Sequence, residues 1–97
     1  MLNQKNMNLS DKVVILPQVM AREVGDETVI LDLANGTYYG LDPVGARIWQ
    51  LMAEGQPLTQ VCELMLADFE VTREVIEHDV LALVQTLLER QLVSAGA

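Results

Sequence analysis

The chain predicts an α+β fold: a three-stranded antiparallel sheet followed by three helices. Three observations carry this. Residues 13–41 alternate extended apolar stretches with turn signals, and residues 42–93 carry apolar side chains at helical spacing. The change from one regime to the other falls on a single step, Asp42-Pro43. At 97 residues, 51% of them hydrophobic, the chain fits one domain with a core of its own. Aromatics are only 4%, so Val, Leu, Ile, Ala and Met must fill that core.

The elements follow in order. Residues 1–12 (MLNQKNMNLSDK) are polar and unpatterned and read as a flexible tail, leaving 13–97 as the folded domain. Val13 to Leu16 is a short apolar run that Pro17 stops. Val19 to Val24 is extended, and Gly25-Asp26 is a turn signal. Thr28 to Leu33 (TVILDL) is rich in β-branched residues. Asn35-Gly36 then predicts a type I′ hairpin, since both residues tolerate positive φ, leading into Thr37 to Leu41 (TYYGL). The strands form an antiparallel meander.

Asp42 caps the first helix and Pro43 suits its first position. Ile48, Leu51 and Met52 make its apolar stripe, with Trp49 beside it, and Gly55 ends it. A second helix begins near Pro57 to Thr59 and carries Val61, Leu64, Met65 and Phe69. The third starts at an N-cap, Thr72, has Glu74 in its first turn, and runs to about Leu92. Its apolar positions form two stripes, 76/80/83/87 and 77/81/84/88, the second beginning at Glu77, and together they are wider than one face of a small core requires. Two readings remain open: the helix is buried on two sides, or one stripe lines a groove for a partner.

Composition excludes several functions. The formal charge is −8, and the six basic residues (Lys5, Lys12, Arg22, Arg47, Arg73, Arg90) are scattered singly, against the clustering nucleic-acid binding needs. One cysteine, Cys62, allows no intrachain disulfide and fits a reducing compartment. No apolar h-region opens the chain and no apolar run nears the ~18 residues of a membrane span, so a soluble cytoplasmic protein is expected. His78 is the only histidine, in a solvated helix position, and Cys62 lies among Val61, Leu64 and Met65 as a core residue, so neither a metal site nor a dyad is expected. Gly36, Gly40 and Gly45 lack phosphate-loop spacing. No convergent catalytic set exists, and no cofactor is expected.

What stands out is the run from Gly36 to Trp49, where the last strand enters the first helix with no linker. In a meander that strand has one neighbour, so its other edge is a free template for a further strand. Thr37, Tyr38 and Tyr39 include none of the Lys or Pro that commonly guard such edges. The tyrosines either form a recognition surface or divide between core and sheet cover.

The same run, Leu31-Asp32-Leu33 with Gly36-Thr37-Tyr38-Tyr39-Gly40-Leu41-Asp42-Pro43-Val44-Gly45-Ala46-Arg47-Ile48-Trp49, resembles the signature of the PqqD-like family, and Asp79-Val80 with Leu83, Leu87 and Leu92 is similar to the family's last helix. The resemblance covers about residues 17–93. It implies a RiPP recognition element in a winged-helix-like arrangement: a non-catalytic domain that binds the leader of a ribosomally made precursor peptide, antiparallel to the last strand and against the third helix. Carried over by residue, the strand edge is Thr37, Tyr38, Tyr39, Gly40 and Leu41, and the helix wall is Val80, Leu83, Leu87 and Arg90. Gly45, Ile48 and Trp49 match the signature as structural residues. The Tyr-Tyr-Gly-Leu form is similar to stand-alone members of lasso-peptide systems, where a leader protease and a cyclase receive the precursor; members tied to pyrroloquinoline quinone synthesis serve a radical enzyme. The alternatives are a homodimeric scaffold using the same edge and a winged-helix regulator, for which the helices are too acidic.

Overall fold

The computed structural model describes residues 11–25 and 27–96. Among these run β1 (Val13–Ile15), β2 (Val19–Val24), β3 (Glu27–Asp32), β4 (Thr37–Leu41), α1 (Pro43–Ala53), α2 (Leu58–Asp68), α3 (Arg73–Glu89) and β5 (Val93–Ala95). The predicted class holds: β2, β3 and β4 form an antiparallel sheet in that order, and three helices follow. Most of the expected tail lies outside the described residues. Its last two members are tied down: the Asp11 carbonyl accepts from Leu58 N–H and the Lys12 carbonyl from Gly96 N–H.

Two features were not foreseen. β1 stands outside the meander and pairs with β5, Val13 opposite Ala95 and Ile15 opposite Val93. And α3 stops at Glu89, one turn before the expected end. Gln91 turns to φ 61°, while Gln91 N–H donates to the Leu88 carbonyl and Leu92 N–H to that of Leu87. This is a Schellman termination with a non-glycine residue in the left-handed position. It sends Leu92 and Val93 into the core and opens β5.

The turn after β3 also differs from its prediction. Gly36 has φ 74°, but Asn35 does not share the positive φ that a type I′ turn requires. The loop spans residues 33–36, because Asp32 pairs with Thr37. The nearly buried Asp32 carboxylate accepts from Ala34 N–H at 2.9 Å, and Asn35 Oδ1 accepts from Thr37 N–H and Oγ1–H. These side-chain bonds stabilise a longer loop than the Asn-Gly pair alone implies.

The other helix limits follow local chemistry. Asp42 Oδ1 accepts from Gly45 N–H at 2.7 Å, with Pro43 in the first turn. Gly55, at φ 87°, closes α1 through bonds to the Met52 and Leu51 carbonyls from its own N–H and that of Gln56. Thr72 Oγ1 accepts from Val75 N–H and starts α3 as predicted. The core gathers Ile30 and Leu41 from the sheet with Ile48, Trp49, Leu51 and Met52 of α1, Val61, Cys62 and Met65 of α2, and Ile76, Val80, Val84 and Leu87 of α3. α3 therefore buries one line, 76/80/84/87, and Leu81, Leu83 and Leu88 pack only partly against the core.

Candidate functional site: the free edge of β4

Strand register fixes which way each β4 residue faces. Ile30 lies opposite Tyr39, and Ile30 is wholly buried on the helix side of the sheet, so Thr37, Tyr39 and Leu41 share that inner face. Leu41 is 5% exposed, as the last inward residue of a strand should be. Tyr38 and Gly40 face outward, and Tyr38 is 74% exposed beside Leu31. The two tyrosines thus divide: Tyr39 is half-buried and Tyr38 covers the outer sheet.

Among the described residues no strand pairs with the second edge of β4. Between that edge and α3 lies a cleft of about 370 Å³. Tyr39, Gly40 and Leu41 form one side, Asp79, Ala82 and Leu83 the other, and Val44 and Ile48 of α1 lie at its apolar floor. Asp42 stands at the end of the strand, where its capping bond to Gly45 joins β4 to α1 without slack. A Cβ on Gly45 would come within 3.2 Å of that Asp42 oxygen, which accounts for a glycine in the junction. At the other end Arg90 lies over the Tyr39 ring, its guanidinium carbon 4.7 Å from the ring centroid, a cation–π contact. Arg90 reaches this place because α3 terminates beneath it.

Of the residues proposed for the site, Thr37, Tyr39, Gly40, Leu41, Leu83 and Arg90 gather along the edge and cleft. Val80 and Leu87 do not: both are 0% exposed and belong to the core. The reason is rotation about α3. The helix turns 100° per residue, and the sheet packs against the 80/84/87 line rather than 80/83/87. The wall is made by Asp79, Ala82 and Leu83 instead. The sequence signal that could have found Asp79 and Ala82 is their spacing from Leu83 on one helical face.

A larger cleft, about 520 Å³, opens on the other side of the sheet's inner face, between Ala21, Glu23 and Thr28 of the β2–β3 hairpin and Ala46, Trp49 and Ala53 of α1. The β2 edge beside it carries Arg22 and Glu23, and Glu23 lines the cleft, the inward charge that protects an edge strand. The β4 edge has no charged residue from Thr37 to Leu41. Cys62 is wholly buried, and burial, with the nearby Glu77 carboxylate second, pushes its thiol pKa up, so it is a core residue. Among the described residues no group of His, Cys, Asp and Glu could hold a metal ion, and no helix is long and apolar enough to cross a membrane.

These features define a class: small α+β domains that present an unguarded strand edge beside a cleft with an apolar floor, walled by their last long helix. The chain belongs to the PqqD family, coenzyme PQQ synthesis protein D, whose pattern matches residues 27–93. That span holds β3, β4 and all three helices, the whole of the β4 cleft. Two solved structures are similar. One is TbiB1 in complex with the TbiA(beta) leader peptide, 34% identical, with a TM-score of 0.80 over 87% of this chain and 98% of that one. The other is lasso peptide synthetase B1 complexed with the leader peptide, 26% identical, with a TM-score of 0.79 over 86% of this chain and 98% of that one. No curated protein matches the chain.

Proposed function

We propose that this protein binds the leader segment of a ribosomally synthesised precursor peptide as an added strand on β4, without catalysing a reaction itself, and presents the precursor to modifying or processing enzymes. The observation that carries the reading is the uncharged β4 edge, unpaired among the described residues, lying beside a cleft against α3 that has an apolar floor of Val44 and Ile48. Main-chain groups of residues 37–41 supply affinity in any sequence context, and the cleft selects side chains on alternate positions. The residues assigned to contact are Thr37, Tyr38, Tyr39, Gly40, Leu41, Leu83 and Arg90, joined by Asp79 and Ala82. The two similar structures support the reading, because both hold a leader peptide. The second, a lasso peptide synthetase B1, favours a leader protease and a cyclase as the receiving enzymes over a radical enzyme.

The test is fluorescence anisotropy of the labelled leader from the precursor gene beside this one. Saturable binding that is lost on scrambling the leader and on Tyr39→Asp is the expected result. Absence of binding at tens of micromolar protein, weaker than about −6 kcal/mol, removes the recognition role. Binding unaffected by Tyr39→Asp and Leu83→Asp together moves the site away from β4.

A further inference from the structure

The charged groups that line the β4 cleft are acidic, and a single cation, Arg90, stands beyond it on the far side of Tyr39. At the cleft's Leu41 end Asp42 and Asp79 stand exposed on the rim. Asp42 uses Oδ1 for its capping bond and keeps the other oxygen available, and Asp79 joins no ion pair among the described residues. At the Thr37 end a small pocket is lined by Thr37, Tyr39 and Arg90. Arg90 has no carboxylate partner among the described residues, in contrast to Arg47, paired with Asp68, and Arg73, paired with Glu63 and Glu77. In a chain of net charge −8, a cation held on an aromatic ring and in no ion pair among the described residues is an uncommitted charge at the edge of the site.

We propose, resting on the strand-addition reading above, that the occupant of the cleft is an extended peptide with the order basic-x-apolar-x-acidic from N- to C-terminus. The spacing follows from strand geometry. Leu41, Tyr39 and Thr37 share the inner face, so the peptide residues opposite them, two apart, share it too. From Leu41 to Thr37 the strand advances about 14 Å at ~3.4 Å per residue. The direction follows from antiparallel pairing, the commoner and more stable arrangement. A peptide antiparallel to β4 enters at Leu41, where its basic side chain meets Asp42 and Asp79. Its next inward side chain, apolar, sits on Tyr39, Val44, Ile48 and Leu83. Its third, acidic, reaches Arg90. A parallel peptide would require the reverse charge order.

The test pans a random 12-residue peptide library, displayed on its own mRNA, against the full chain. The best binder is then compared by anisotropy with a twin in which its acidic and basic residues are exchanged. The expected result is enrichment of a basic residue four positions ahead of an acidic one, with an apolar residue between. The twin should bind about tenfold more weakly at low salt, with the gap narrowing in 0.5 M NaCl, as for exposed ion pairs. Arg90→Glu should favour a basic residue at the third inward position. Peptides that lose binding on Tyr39→Asp yet show no charge order, or the reverse order, overturn this inference and leave the β4 site standing. A library that yields no binder, or only binders indifferent to Tyr39→Asp, removes the β4 reading and the charge order with it.

Discussion

Leu87 and Leu83 stand one helical turn apart on α3 with opposite duties, and substitution separates them. Leu87 is wholly buried and packs with Val84 and Leu92 in the core. Leu87→Ala should cost about 3 kcal/mol, from lost transfer energy plus the cavity left behind. A domain of this size holds roughly 5–15 kcal/mol, so the variant still folds. At about 4–8 °C per kcal/mol its Tm should fall by some 12–24 °C. Because the side chain does not line the cleft, peptide affinity of the folded protein should stay within about twofold of wild type. Leu83 is half-buried at the cleft wall, one turn after Asp79. Leu83→Asp should cost about 1 kcal/mol in stability, typical of a partly exposed site. It removes an apolar contact and sets a like charge four residues from Asp79, so affinity should fall more than tenfold. Urea unfolding gives the first quantity and peptide anisotropy at low temperature the second. If Leu87→Ala left stability near wild type while abolishing binding, the assignment of the 76/80/84/87 line to the core would be wrong.

Three further outcomes follow from local chemistry. Gln91→Gly should raise stability by about 0.5–1 kcal/mol, since only glycine adopts φ near 60° without strain; an unchanged or lowered urea midpoint would refute the Schellman ending of α3. Asp42→Ala should lose about 1 kcal/mol with its cap, whereas Asp42→Asn should melt near wild type, because an amide oxygen still accepts from Gly45 N–H. For Cys62, folding raises the thiol pKa above its ordinary 9.0, so the associated stability is fully present below that pH and is lost as pH rises through the folded value. Urea midpoints measured at pH 8 and at pH 10.5 should therefore fall further for wild type than for Cys62→Ala, and equal falls would refute the buried-thiol assignment.

Helix starts were legible because their causes are local: Asp42 and Thr72 carry the capping oxygen in the residue itself, and Gly55 carries the freedom to end α1. The end of α3 was not, because Gln91 takes a conformation its type rarely adopts and nothing nearby marks it. β5 was invisible for a related reason: three residues carry no readable period, and the strand exists only because β1 lies opposite. The sequence suggests an open β4 edge because a meander leaves its last strand one neighbour short, and among the described residues nothing pairs with that edge. Of the expected helix wall, Leu83 lines the cleft while Val80 and Leu87 lie in the core. Two adjacent apolar stripes on α3 give no means of telling which one the sheet covers; that depends on the helix's rotation over the core, which is a tertiary quantity.

Cleft size does not decide which of the sheet's edges accepts a strand; desolvation does. A strand added to either edge forms a few main-chain hydrogen bonds, each worth about 0.5–1.5 kcal/mol net. At β4 nothing on the strand opposes that gain, and apolar burial against Val44, Ile48 and Leu83 adds about 25 cal/mol per Å². At β2 a strand would close over Glu23, which faces Ala46 and Trp49 across the larger cleft. Covering Glu23, with Arg22 and Arg47 lining the same cleft, strips water from several charges at once, a desolvation cost that opposes the bonds gained. The larger cleft is thus the guarded one. The β2 edge carries Arg22 and Glu23 on the strand itself, whereas the β4 edge keeps its charges off the strand, on Asp42, Asp79 and Arg90, where they can discriminate between strands without preventing one from docking.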